Sequence, residues 1–205
     1  MSLSLEFKKD DPKALILLWE GNPWREVPKY LFYNELRRFP VQLNWEEFLS
    51  RFNLLEEKIA KRQAIALLSK RGYLSSDLET KLLFKGLSPK GAKAAVVYCQ
   101  EKGFVNDTQE IARLIAREQK KGLGAKAIFF KLKQKKKIDD HQLRRGLDQT
   151  ETSEKEALEK WLIKNAKKVK WNDPLEMRKL MAKLMRRGFS GELVFNLLRK
   201  QPQND

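Results

Sequence analysis

The chain has 205 residues, with 43 Lys/Arg against 27 Asp/Glu and a net charge of +16. A balance of that sign favours polyanions or acidic surfaces as partners, while 41% hydrophobic residues supply enough apolar material for a core and exclude wholesale disorder. No apolar run approaches the ~20 residues of a membrane span, no signal peptide is legible at the start, and one Cys with one His excludes an internal disulfide or a Cys/His zinc cluster.

Leu3, Leu5 and Phe7 alternate with polar residues, the period of a half-buried strand. Lys9–Pro12 reads as a turn, Ala14–Trp19 as a second strand, and Glu20-Gly21-Asn22-Pro23 as another turn, which together predict a small β-hairpin. Pro28 opens a helix with Leu31, Phe32, Leu36 and Phe39 on one side, and Pro40 ends it. Asn44 and Glu47 form a reciprocal helix start, with Leu43 packing on Phe48. From Trp45 onward the pattern is helical almost throughout. Starts are marked at Ser75/Ser76, Ser88-Pro89, Asp107, Asp139, Asp173-Pro174 and Ser190, and stops at Gly72, Gly103, Gly122 and Gly188.

Charge changes along the chain. Residues 1–60 hold nine Lys/Arg and ten Asp/Glu, whereas residues 61–205 hold 34 and 17. The basic part also contains a repeat. Ile65-Ala66…Lys70-Arg71-Gly72-Tyr73 is followed by Leu78 and Leu82. Ile115-Ala116…Lys120-Lys121-Gly122-Leu123 is followed by Ile128 and Leu132, and Met181-Ala182…Arg186-Arg187-Gly188-Phe189 by Val194 and Leu198. Each copy reads as helix, glycine turn, helix. The alanine is expected to let the helices approach, and the aliphatic pair to face inward. The glycines stand where a left-handed backbone often ends a helix. Spacings of 50 and 66 residues imply about three helices per unit and a solenoid-like stack.

Nothing in the chain assembles into a catalytic set. His141 follows Asp139-Asp140 at a helix start and is expected to be exposed, Cys99 falls at the spacing of a buried apolar position, and no carboxylate pair stands out. Gly122-x-Gly124 lacks the third glycine and the preceding strand of a nucleotide fingerprint. No enzyme activity, cofactor or metal is therefore expected. Residues 117–137 hold nine Lys/Arg against the single Glu118. A solvated face normally mixes signs, so this run is read as contacting phosphate or an acidic protein surface. The candidate contact residues are Lys120, Lys121, Lys126, Lys131, Lys133, Lys135, Lys136 and Lys137, with Arg71, Arg186 and Arg187 from the other two copies. Lys131, Lys133, Lys135 and Lys136 are expected to be solvent-exposed. The basic amphipathic stretch Trp161–Trp171 is read as core packing through Trp161, Leu162 and Val169 rather than as a membrane-surface helix, and Trp19, Trp24 and Trp45 likewise as packing.

The segment Ala66-Leu-Leu-Ser-Lys-Arg71-Gly-Tyr-Leu-Ser75 with Leu78, Lys81 and Leu82 resembles the first module of the RecX family, regulators of the RecA recombinase. Gly103-Phe-Val-Asn-Asp107 with Ala112, Lys121-Gly122, Ile128 and Leu132 is similar to its second module, and Arg186-Arg187-Gly188-Phe189-Ser190 with Val194 to its third. Two departures stand out. The family usually has Lys-Gly-Ile where this chain has Lys135-Lys136-Lys137-Ile138, and a charged residue where Gly72 stands. The resemblance implies a mainly α fold of tandem three-helix repeats in an elongated curved body, preceded by the β-hairpin and helix. The divisions fall at 1–55, 56–104, 105–149 and 150–205. It further implies a cytoplasmic, non-enzymatic regulator, expected to be monomeric, that lies on the RecA–single-stranded-DNA filament and lowers strand exchange. RecA is the partner, single-stranded DNA a secondary one, and a membrane none. The alternative is a basic helical protein acting on DNA or RNA directly.

Overall fold

The computed structural model describes residues 3–8, 10–39, 43–136, 138–149, 151–166, 169 and 171–199. Its contacts divide the chain into two units, Met1–Asn106 and Asp107–Asp205. Among the described residues there are three strands and ten helices.

In the first unit β1 (Leu3–Lys8), β2 (Asp11–Trp19) and β3 (Asn22–Pro28) form an antiparallel sheet in that order. The third strand corrects the expected hairpin. Residues 22–28 look like a turn because Pro23 and Pro28 lack the N–H that a ladder uses. The strand tolerates them because it is an edge, with the prolines at its second and last positions. Glu20 and Gly21 both have positive φ, as a two-residue hairpin turn that follows the strands' twist requires. Leu15, Leu17 and Val27 share one core with Leu31, Phe32 and Leu36 of α1 (Lys29–Leu36).

Helix α2 (Trp45–Leu68) opens on the reciprocal cap read from sequence: Asn44 Oδ1 accepts from the Glu47 N–H at 2.8 Å, and the Glu47 carboxylate accepts from the Asn44 N–H at 3.3 Å. It runs unbroken through residues 55 and 56. Trp19, Trp24 and Trp45 pack on Phe48 and Phe52, with Trp19–Trp45 and Trp24–Phe52 ring centres both 5.0 Å apart, so all three tryptophans, half-buried, pack against the core. α3 (Ser75–Phe84) is capped at Leu74 with no side-chain bond, so Ser75 and Ser76 stand inside its first turn rather than capping it. α4 (Pro89–Glu101) is capped by Ser88. Ala60 and Ala64 of α2 and Ala92 and Ala95 of α4 are fully buried where these helices pack. The repeat alanines Ala66, Ala116 and Ala182 are instead exposed, which corrects their assigned role. Cys99 is buried, and burial pushes its thiol pKa up, away from the reactive thiolate.

Glu56, 3% exposed, ties this unit together. Its carboxylate accepts two hydrogen bonds from Arg25 of β3, at 3.2 and 2.5 Å, and two from Ser88, from the N–H at 2.8 Å and from Oγ at 2.6 Å. A residue of the missed strand thus closes a network spanning β3, α2 and the start of α4.

The second unit contains α5 (Asp107–Gln119), α6 (Ala125–Lys135), α7 (Asp140–Asp148), α8 (Glu151–Asn165), α9 (Pro174–Arg186) and α10 (Gly191–Arg199). The aliphatic pairs of the repeat are buried as expected: Leu78 and Leu82, Ile128 and Leu132, Val194 and Leu198. Trp161 and Leu162 are buried in the core formed with Leu180, Leu184 and Phe189, and Val169 packs against it. The longer third spacing has a simple cause. The first two motifs span α2–α3 and α5–α6, whereas the third spans α9–α10, with α8 preceding it. Where the family-like Lys-Gly-Ile is missing, α6 stops because Lys136 turns to an extended backbone (φ −134°, ψ 142°), and Asp139 caps α7.

Candidate functional site

The basic residues of the second unit are organised by two glycine turns. After α5, the Gly122 N–H donates to the Gln119 carbonyl at 2.7 Å and the Leu123 N–H to the Glu118 carbonyl at 3.4 Å. After α9, the Gly188 N–H donates to the Met185 carbonyl at 2.9 Å and the Phe189 N–H to the Leu184 carbonyl at 3.3 Å. Both are Schellman ends, with glycine φ of +72° and +86°. Gly72 is not among the positive-φ glycines, because α2 already ends at Leu68 and Ser69.

The two turns interlock. The Gly124 N–H donates to the Arg187 carbonyl at 2.9 Å, and the Lys126 N–H to the Gly188 carbonyl at 3.1 Å. The Arg187 guanidinium donates to the Gly122 and Lys121 carbonyls, both at 2.7 Å. Glu154 of α8 accepts from the Ala125 N–H at 2.7 Å. The first amides of α6, which have no partner within the helix, are therefore satisfied by the end of α9 and by Glu154. A Cβ on Gly188 would overlap Ala127, and one on Gly124 would overlap the backbone of Gly188 and Phe189.

The candidate cations fall into distinct groups. Lys120, Lys121 and Arg187 border one cleft of about 540 Å³, which Lys160, Lys164 and Trp161 also line. Lys183 and Arg187 stand over the Trp161 ring, 5.2 and 5.4 Å from its centre. Lys121 and Lys131 hold the buried Glu118 carboxylate at 2.8 and 2.6 Å. Lys131 is only 33% exposed, against the expectation that it faces solvent freely. Its ammonium is drawn inward because Glu118, at the negative end of α5, needs neutralising. Lys126, Lys133 and Lys135 are exposed on α6 and Lys136 is intermediate, with Lys133 bonded to Asp140 at 2.6 Å. Arg186 is exposed at the end of α9. Arg71 belongs to the first unit and lies over Tyr73, 4.5 Å from its ring centre. Lys137 lies outside the described residues.

Burial opposes ionisation of Glu118, but the bonds from Lys121 and Lys131 outweigh it and hold its pKa below the ordinary range. Glu56 behaves alike: burial raises its pKa, and the bonds from Arg25 and Ser88 more than reverse this. A carboxyl depressed in the folded state contributes stability above its unfolded value, and that stability is lost as pH falls through the folded value. The thermal midpoint is therefore expected to be level from neutral pH to about 5 and to fall below about 4. Glu56→Gln should flatten that fall, and a midpoint scan against pH checks it.

Two residues of this surface were missed. Phe130 is 69% exposed on α6, and Arg144 of α7 lies over the neighbouring Phe129, 5.1 Å from its centre. The signal for Phe130 was present. It stands two residues from both inward residues, Ile128 and Leu132, about 200° around the helix from each. Among the described residues no group of three potential ligands is arranged for a metal, and no helix is long and apolar enough to cross a membrane.

Residues 153–198, covering α8 to α10, match the model of the third three-helix domain of RecX. "Regulatory protein RecX" of Caldanaerobacter subterraneus subsp. tengcongensis is 27% identical over 154 residues, which is 75% of this chain and 76% of that protein. A crystal structure of regulatory protein RecX superposes with a TM-score of 0.62 at 17% identity, covering 98% of this chain and 99% of the other. RecX from Lactobacillus salivarius gives 0.58 at 18% identity, over 71% of this chain and 96% of the other.

Proposed function

We propose that this chain is a member of the RecX family and acts as a non-enzymatic regulator that binds the RecA–single-stranded-DNA filament and lowers recombinase activity, a reading supported by the match of residues 153–198 to the third RecX domain and by the 27% identity to a RecX protein. The observation that carries the contact surface is the cation group on α6. Lys126, Lys133 and Lys135 project from a helix whose start is fixed by the interlocked turns, while Glu118 is turned inward. The three-helix modules are taken as 56–104, 105–149 and 150–205, after an extension at 1–55. The protein acts as a monomer in the cytoplasm, with single-stranded DNA as a secondary contact.

Adding the purified protein to a RecA strand-exchange reaction tests the reading. Product formation is expected to fall with dose, and unchanged exchange at saturating protein would defeat it. Changing Lys126, Lys133 and Lys135 together to Glu should weaken filament binding about tenfold or more at low salt, with the difference shrinking as salt rises. Folding stability should change by no more than about 1 kcal/mol, because the one ion pair lost, Lys133–Asp140, is exposed. Lys131 is left in place, since a glutamate there would face Glu118. Fluorescence anisotropy across a salt series, beside a thermal melt, separates binding from folding.

The exposed Phe130 ring among these cations favours direct contact with the nucleic acid as a second reading.

A further inference from the structure

We propose that α6 carries a stacking site for single-stranded nucleic acid, with Phe130 as the platform for one base and Lys126, Lys133 and Arg144 as the phosphate contacts beside it. The inference rests on the reading of this face as the filament-facing surface and names what touches it.

The neighbouring aromatics have different tasks. The Phe129 ring carries Lys133 and Arg144, 5.8 and 5.1 Å from its centre, so it is used in holding the cations. Phe130 meets Phe129 edge-on, at 5.7 Å and 87°, and remains 69% exposed. Lys126 is one turn before Phe130 on the helix and Lys133 one turn after it. An exposed ring of this size has a hydration cost that an apolar protein contact would also relieve. The cations around it favour a strand that supplies a flat π-face and a phosphate every residue. Two other aromatics near cations differ from this setting. Phe84 is 82% exposed, but it borders a surface that Asp11 and Glu26 share with Lys13 and Lys85, whereas beside Phe130 the pairing is that of Lys133 with Asp140, at 2.6 Å. Trp161 is buried, with cations already over its ring.

The test measures binding of the full chain to a dT oligonucleotide of about sixteen nucleotides, and to an abasic oligonucleotide of equal length, without recombinase. Phe130→Leu keeps an apolar side chain but removes the π-face. It should weaken dT binding about five- to thirty-fold, while Phe130→Trp keeps it within about twofold and abasic binding is unchanged by either. The inference fails if wild type does not bind dT, if Phe130→Leu binds dT as wild type does, or if it loses dT and abasic binding equally. It also fails if Phe130→Leu leaves dT binding intact but abolishes inhibition of strand exchange, since Phe130 would then dock on protein. Loss of stacking with strand exchange unaffected by any variant or by wild type would instead strike the filament reading alone.

Discussion

Gly188→Val is expected to destabilise the 107–205 unit by about 3 kcal/mol or more, lowering its thermal midpoint by more than about 10 °C. Two costs add. The φ of +86° is one that an L residue with a branched Cβ adopts only with strain. The space is also taken, because the added carbon would overlap the Ala127 backbone nitrogen and Cβ. Relief requires the α6 start to move, which breaks the bonds from Gly124 to Arg187 and from Lys126 to Gly188. Gly103→Val is the control. Its φ is +69°, but no atom lies within 4 Å of the added carbon, so only the backbone term applies. Circular dichroism melts of the two variants make the comparison. Equal losses would mean that the turns do not bear on one another.

Glu56→Ala is the second large effect, with an expected loss of about 2–4 kcal/mol. It leaves the Arg25 guanidinium, the Ser88 N–H and the Ser88 hydroxyl without their acceptor, and opens space beside Gly91. Arg25 is 24% exposed and recovers some solvation, which keeps the cost below that of a fully enclosed pair. Urea titration of Glu56→Ala, Arg25→Ala and the double variant measures the coupling. Additive losses would remove the network from the account of this unit's stability. Glu57→Ala, one residue away and half-buried beside Lys61, should cost far less.

Local signals were readable wherever one residue type has one physical use. The Asn44–Glu47 cap, the Ser88 and Asp139 caps and the inward pairs of all three motifs stand where their spacing puts them. Strand β3 was hidden because its pairing partners lie in another strand and its own prolines argue against a ladder. The alanines misled because a repeated small residue marks either a close approach or a neutral solvent position, and only the neighbouring helix decides which. The same limit applied to charge. Lys126 and Lys131 look alike in sequence, yet one is exposed and the other is held by Glu118, 13 residues earlier. Arg187 reads as a surface cation and is a clasp, since its carbonyl partners lie 65 and 66 positions away.

The interlocked turns also bear on how this unit opens. The amides of Gly124, Ala125 and Lys126 are covered by acceptors on Arg187, Glu154 and Gly188, none of which belongs to α5, α6 or α7. Their exchange with deuterium therefore reports the detachment of the α8–α10 helices rather than fraying of α6 itself. The α8–α10 segment, which carries few of the candidate contact residues, thus splints the start of the lysine-bearing helix. A chain ending before Arg187 would keep every α6 lysine and lose the fixed spacing between them.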